Sequence, residues 1–160
     1  MAILNPYLNF NGNAREAMEF YRSVFGGELK INTFGEFGNT DPAVADRVIH
    51  ANLDTPRGYR LMASDTGPGM TLNRGNNLTC SLSGDPGEGL EDVWEKLSDG
   101  GEEGPCGWVR DRYGLSWQVV PRGMEEMLKA PESAGANRAM GAMMQMKKID
   151  MAALERAFAG

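Results

Sequence analysis

Glu19-Phe20-Tyr21-Arg22-Ser23-Val24, closed by Gly26-Gly27-Glu28, is answered later in the chain by Asp92-Val93-Trp94-Glu95-Lys96-Leu97, closed by Gly100-Gly101-Glu102. The offset is 73 to 74 residues (92 − 19 = 73; 100 − 26 = 74). In both stretches apolar residues recur at helical spacing, and a glycine pair stops the helix. A strand precedes each helix and further strands follow it. A repeat of this length means that one supersecondary unit is used twice.

The first copy begins with Tyr7-Leu8-Asn9-Phe10, whose alternation predicts a half-buried strand. Asn13, with Glu16 three positions on, predicts a capped helix bearing Ala17, Phe20, Tyr21, Val24 and Phe25 on its apolar face. Strands are expected at Leu29 to Phe34, Val48 to Leu53 and Tyr59 to Ser64, the last after the turn Thr55-Pro56-Arg57-Gly58. Gly35 to Asp46 and Thr66 to Asn76, the latter with Pro68, read as loops. In the second copy Asn77 to Leu82 is a strand with Leu78, Cys80 and Leu82 on one face. Gly84-Asp85-Pro86 opens a helix striped by Leu90, Val93, Trp94 and Leu97. Strands follow at Trp108 to Asp111 and Leu115 to Val120. From Gly123 onward the pattern changes to helices: Met124 to Leu128, Asn137 to Met146, and a short one capped by Asp150. Met140, Met143, Met144 and Met146 read as adaptable packing.

Composition excludes several functions. The chain has 160 residues and a net charge of 16 − 22 = −6, which argues against a nucleic-acid partner. No apolar run approaches the ~20 residues of a membrane span, and the N-terminus lacks the pattern of a signal peptide. Two cysteines make no disulfide framework, so a cytoplasmic location is expected. A single histidine rules out a multi-histidine metal site within one chain.

The motifs resemble a family. Tyr7-Leu8-Asn9-Phe10-Asn11-Gly12-Asn13-Ala14 with Phe20-Tyr21-Arg22-Ser23-Val24-Phe25-Gly26-Gly27-Glu28 is similar to the opening of PhnB-like proteins. Leu61-Met62-Ala63-Ser64-Asp65, Cys106-Gly107-Trp108, Asp111-Arg112-Tyr113-Gly114-Leu115-Ser116-Trp117-Gln118 and Gln145-Met146-Lys147-Lys148-Ile149-Asp150 extend the resemblance. Proteins of the longer subgroup are often labelled 3-demethylubiquinone-9 3-methyltransferase. The resemblance implies the vicinal oxygen chelate superfamily, which includes glyoxalase I, bleomycin-resistance proteins and extradiol dioxygenases. It implies an α+β fold: two βαβββ modules whose mixed sheets curl into a cup around a ligand. The modules would span about 5–66 and 76–122 of a domain at 1–122, with a helical extension at 123–160. It also implies a homodimer.

Alternation assigns the ligand-facing side chains. Tyr7 and Asn9 are expected there from the first strand, and Val48, His50 and Asn52 from the third. Ser64 and Asp65 close the fourth. Asn77, Thr79 and Ser81 follow from the fifth, and Ser116, Gln118 and Val120 from the last. Trp108 can stack on a planar ligand. His50 oriented by Asp65 is the candidate general base; the competing reading is a hydrogen-bonded histidine at a strand surface. Cys80 reads as core, Cys106 as structural, Trp117 as packing beneath a helix, and Arg110-Asp111 as a solvated or ion-paired turn.

Metal-dependent members of the superfamily carry His or Glu at positions that here hold Pro6 or Tyr7, Asn77 and Gln118. None is a strong ligand for a divalent ion, so neither a metal nor another cofactor is expected. The preferred reading is a small-molecule-binding protein of unknown reaction. An isomerase, lyase or transferase using His50 and Asp65, metal-assisted or not, and an antibiotic-sequestering protein are the alternatives. A methyltransferase is the least supported. Gly84-Asp85-Pro86-Gly87-Glu88-Gly89 is the nearest glycine-rich run, and Pro86 removes an amide that an anion would use.

Overall fold

The computed structural model describes residues 3–67, 69–75, 77–85, 87–129 and 133–160. Pro68, Asn76 and Pro86, to which the sequence gives loop or helix-start roles, lie outside the described residues. The chain forms two compact units, residues 1–73 and 74–160.

The first unit runs β1 (Tyr7–Phe10), α1 (Ala14–Phe25), β2 (Glu28–Thr33), β3 (Val48–Asp54), β4 (Arg60–Asp65). The sheet order is β1-β4-β3-β2, with β1 parallel to β4 and the other pairs antiparallel. The second runs β5 (Thr79–Gly84), α2 (Leu90–Ser98), β6 (Glu102–Glu103), β7 (Trp108–Arg110), β8 (Ser116–Pro121). Its order, β5-β8-β7-β6, repeats the first topology. Each unit is therefore βαβββ, as the duplication requires. The turns match as well: Thr55 and Asp111 are 56 apart (111 − 55). Thr55 N bonds Tyr59 O at 3.0 Å, and Asp111 N bonds Leu115 O at 2.9 Å.

Each sheet buries one face under its helix. In the first unit α1 places Ala14, Ala17, Met18, Tyr21 and Val24 on Leu8, Phe10, Ala51, Leu53, Leu61 and Ala63, all buried. Full burial of a large apolar side chain contributes about 1.5–3 kcal/mol, so this layer holds the unit together. In the second, Trp94 and Leu97 of α2 lie over the face of Val109, Trp117 and Val119. Trp117 is core, as expected.

Two local expectations are corrected at the start of β3 and of α1. Val48 is buried, not ligand-facing. The pairing of β2 with β3 steps from Asn32↔His50 to Thr33↔Val48, skipping Ile49, and this bulge turns Val48 inward. The side chain of Asn13 makes no cap on α1. Asp65, at the end of β4, does that work instead: its Oδ1 accepts from Gly12 N at 2.7 Å and Ala14 N at 3.0 Å.

Asp111 is a further correction. It is 3% exposed, not solvated. Its Oδ1 accepts from Tyr113 N and Leu115 N, and its Oδ2 from the Trp117 indole at 2.8 Å. Cys80, opposite Trp117 in the sheet, feels both its surroundings and this carboxylate. Burial, and then the charge of Asp111, push its thiol pKa up. Iodoacetamide attacks thiolate. In the folded protein at about pH 8, Cys80 is therefore expected to stay unmodified while denaturant makes it reactive. Peptide mapping would refute this if Cys80 alkylated equally fast in both states.

The C-terminal helices α3 (Met124–Leu128), α4 (Ala134–Met143) and α5 (Met151–Ala159) belong to the second unit. Helix α4 starts three residues before the expected Asn137, because Ser133 Oγ accepts from Ala136 N and caps it. Asp150 caps α5 as expected, accepting from Ala153 N at 3.0 Å. Helix α2 begins at Leu90, later than Gly84-Asp85 suggests, since β5 runs on through Gly84. The short β6 leaves part of the sheet edge open, and the tail fills it. Cys106 N donates to Met146 O at 2.8 Å and Gly107 N to Lys147 O at 2.7 Å. No helix among the described residues is long and apolar enough to cross a membrane.

Candidate functional site

The face of the first sheet opposite α1 follows from strand alternation and register. β1 contributes Tyr7 and Asn9, β4 contributes Met62 and Ser64, β3 contributes His50 and Asn52, and β2 contributes Lys30 and Asn32. Lys30, Asn32 and Met62 were not singled out from the sequence. Their signal was there: Leu29 and Ile31 alternate inward, so the residues between them point outward.

The centre of this face is a side-chain pair. Tyr7 Oη lies 3.0 Å from His50 Nδ1. The rings are 5.7 Å apart at an interplanar angle of 35°. Tyr7 is 44% exposed and His50 half-buried, so the pair is reachable from solvent. Beside it Ser64 Oγ and Asn9 Oδ1 are 3.5 Å apart, a weak contact. Asn52 Oδ1 is buried and has no partner among the described residues.

Asp65 is not part of this group. It pairs with Phe10 in the sheet, so its side chain points to the helix side. It is 4% exposed, and both oxygens are engaged: Oδ1 by Gly12 and Ala14, Oδ2 by Val48 N at 2.9 Å. The expected orientation of His50 by Asp65 is thus replaced by Tyr7–His50, with Asp65 a structural clamp.

In the second sheet the open face carries Thr79, Ser81 and Ser83 from β5, Ser116, Gln118 and Val120 from β8, and Trp108 and Arg110 from β7. Trp108 pairs with Gln118 and is 40% exposed. With Ser116 it lines a hollow of about 140 Å³ whose wall also includes Glu102 and Arg110. Asn77 and Leu78 precede β5 and are exposed. A larger cavity of about 480 Å³ lies where α2 and α5 begin, but it contains none of the expected site residues. Three of its four carboxylates are already used: Asp85 pairs with Arg122, Asp92 with Lys96, and Asp150 caps α5, while Glu91 is the fourth.

Neither open face offers a donor set for a divalent cation. On the first, the part around His50 offers amides, hydroxyls and one imidazole whose Nδ1 is engaged by Tyr7, and the two carboxylates at the far end, Glu28 and Asp54, are paired with Lys30 and Arg60. On the second, Thr79, Ser81, Ser116 and Gln118 are neutral oxygen donors, and Glu102 is a single carboxylate beside the Arg110 guanidinium. Strong protein sites for such ions are built on carboxylates, thiolates or several imidazoles. Among the described residues no group of three or more His, Cys, Asp or Glu could hold a metal.

The model of a family described as 3-demethylubiquinone-9 3-methyltransferase matches residues 2–120. A protein from Pseudomonas aeruginosa is 30% identical, with a TM-score of 0.68 over 76% of this chain and 98% of its own. A Bacillus cereus PhnB protein, described as a candidate 3-demethylubiquinone-9 3-methyltransferase, is 26% identical with a TM-score of 0.59 over 75% of this chain and 99% of its own. A fosfomycin resistance protein from Listeria monocytogenes shares the fold at 12% identity, with a TM-score of 0.54 over 78% of this chain and 94% of its own. Among curated proteins none matches. The duplicated βαβββ unit, the match over residues 2–120 and these relatives agree: the chain belongs to the PhnB-like 3-demethylubiquinone-9 3-methyltransferase family, built on the glyoxalase/bleomycin resistance fold.

Proposed function

We propose that this protein binds a small polar or planar organic molecule on the open face of its first sheet, centred on Tyr7 and His50. The observation that carries the reading is the solvent-reachable Tyr7–His50 pair, 3.0 Å apart, set among Asn9, Asn52 and Ser64. Amides and hydroxyls supply orientation, while the Tyr7 ring and Met62 supply apolar contact. That mixture is typical of small-molecule sites.

The family description suggests methyl transfer, and the local structure speaks against the usual way of holding a methyl donor. A nucleotide-binding turn leaves amides free at the start of the first helix. Here the amides of Gly12 and Ala14 are occupied by the Asp65 carboxylate, which would repel an anionic group.

Thermal shift across a metabolite library tests the proposal. A ligand at 100 times its dissociation constant adds ~2.7 kcal/mol. At about 2–4 °C per kcal/mol this raises the melting temperature by about 5–10 °C. The expected result is a shift with a small polar or aromatic ligand that His50→Ala weakens at least tenfold by calorimetry, and none with S-adenosylmethionine. A ligand that binds His50→Ala and Tyr7→Phe as tightly as wild type would show that this face is not the site.

A further inference from the structure

The pair at the centre of the open face has a preferred polarity. A phenol O–H is a strong donor and a poor acceptor, whereas a pyridine-type imidazole nitrogen is a strong acceptor. The 3.0 Å contact is therefore best satisfied with Tyr7 O–H donating to His50 Nδ1. That choice places the proton of the neutral ring on Nε2. Among the described residues Nε2 has no hydrogen-bond partner. His50 then offers the open face an N–H rather than a lone pair, which is the opposite of what a general base needs.

The surroundings match a donor. Around His50 lie Asn32, its partner across the sheet, and Asn9, Asn52 and Ser64, all uncharged. The acidic residues of this face, Glu28 and Asp54, lie opposite each other in the strand register at its far end. Each is held by a cation, Glu28 by Lys30 at 3.2 Å and Asp54 by Arg60 at 2.6 Å. The half that holds His50 thus carries no carboxylate to repel an anion, despite the net charge of −6.

We propose that Tyr7 and His50 form an acceptor-recognition pair. Tyr7 is a positioning residue that locks His50 in the Nε2–H form, and Nε2–H donates to a carbonyl or carboxylate oxygen of the ligand. The ligand class is a small carboxylate- or carbonyl-bearing molecule. This rests on the reading that the open face is the binding surface.

One histidine in the sequence makes the test direct, because ring nitrogen resonances in a long-range ¹H–¹⁵N spectrum need no assignment. In alkaline buffer, where imidazole is neutral, wild type is expected to show a protonated Nε2 and an unprotonated Nδ1. Tyr7→Phe is expected to give a mixture of the two forms with the fold unchanged. A wild-type ring protonated on Nδ1, or a Tyr7→Phe spectrum identical to wild type, overturns the proposal. Benzoate and phenylpyruvate are then titrated beside benzylamine, which lacks an acceptor oxygen. The acids are expected to shift the Nε2 resonance and benzylamine to leave it unmoved. His50→Gln, which keeps a side-chain N–H, is expected to retain part of the acid binding that His50→Ala loses. Binding of benzylamine but not of the acids overturns the ligand class while leaving the surface reading intact. Binding of none of the three, with no resonance of Tyr7, His50 or Asn52 perturbed, counts against both readings.

Discussion

Asp65→Ala is expected to lower stability by about 3–5 kcal/mol, and the melting temperature by about 10 °C. The carboxylate receives three backbone N–H groups, from Gly12, Ala14 and Val48, at 2.7, 3.0 and 2.9 Å. Each hydrogen bond to a charged acceptor is worth about 1.5–3 kcal/mol, and a buried donor left alone costs about as much. The effects do not add in full, since water can reach the partly buried Gly12 amide once the carboxylate is gone. The Ala14 and Val48 bonds are buried, and alanine supplies nothing for those donors. The same change removes the cap of α1, which Asn13 does not provide. Asp65→Asn keeps one oxygen and is expected to fall about halfway. Denaturant melts give the energies, and hydrogen exchange at the start of α1 locates the loss. A melting temperature within about 2 °C of wild type for Asp65→Ala would remove the clamp from the account of the fold. Asp65→Asn also separates two ideas about His50. If Asp65 oriented the imidazole, its ring tautomer would change in that variant; with Tyr7 in that role, it stays the same.

Much of this architecture was legible because it is local and repeated. Helix periodicity, the Gly-Gly stops and strand alternation are properties of neighbouring residues, and they recur after 73 to 74 positions. Alternation also put Tyr7, Asn9, His50, Asn52, Thr79, Ser81, Ser116 and Gln118 on the side of each sheet away from its helix, where the strand register has them. The exceptions depend on partners far away in sequence. Asp65 caps a helix that begins 51 residues earlier (65 − 14), so nothing near Asn13 announces the substitution of caps. Val48 turns inward because β2 and β3 slip past one residue, and a bulge leaves no composition signal. Asp111 reads as a charged turn residue until Trp117 closes over it with its indole N–H. The Tyr7–His50 pair spans 43 residues and needed the order β1-β4-β3 before it could be seen.

Gly27→Ala is expected to cost about 4 kcal/mol or more, enough to compromise folding of the first unit. Two effects combine there. Gly27 has φ of +102°, which L side chains rarely adopt, and an added Cβ would lie 2.1 Å from Asp54 O and 2.9 Å from Thr55 Cα. Those atoms are backbone at the end of β3, where Asp54 pairs with Glu28, so relief requires pulling β2 away from its partner. Gly101, in the matching place, isolates the steric part. Its φ is ordinary, yet a Cβ would meet Arg110 O at 2.4 Å and Leu97 O at 3.0 Å. Gly58 isolates the conformational part, with φ of +85° and open space around it, so Gly58→Ala should cost about 1–2 kcal/mol. Gly141, inside α4 with ordinary φ and nothing nearby, should become more stable by about 0.5–1 kcal/mol on substitution by alanine. The ordering Gly27 > Gly101 > Gly58 > 0 > Gly141 in denaturation midpoints is what close backbone approach demands. Equal losses at Gly27 and Gly58 would mean that φ alone matters. The second glycine of each Gly-Gly-Glu is thus a place where a helix exit runs against the far end of a hairpin. Thr55 and Asp111 hold those two hairpins by the same backbone pattern, so the motif that marks the duplication is the one the duplicated packing cannot lose.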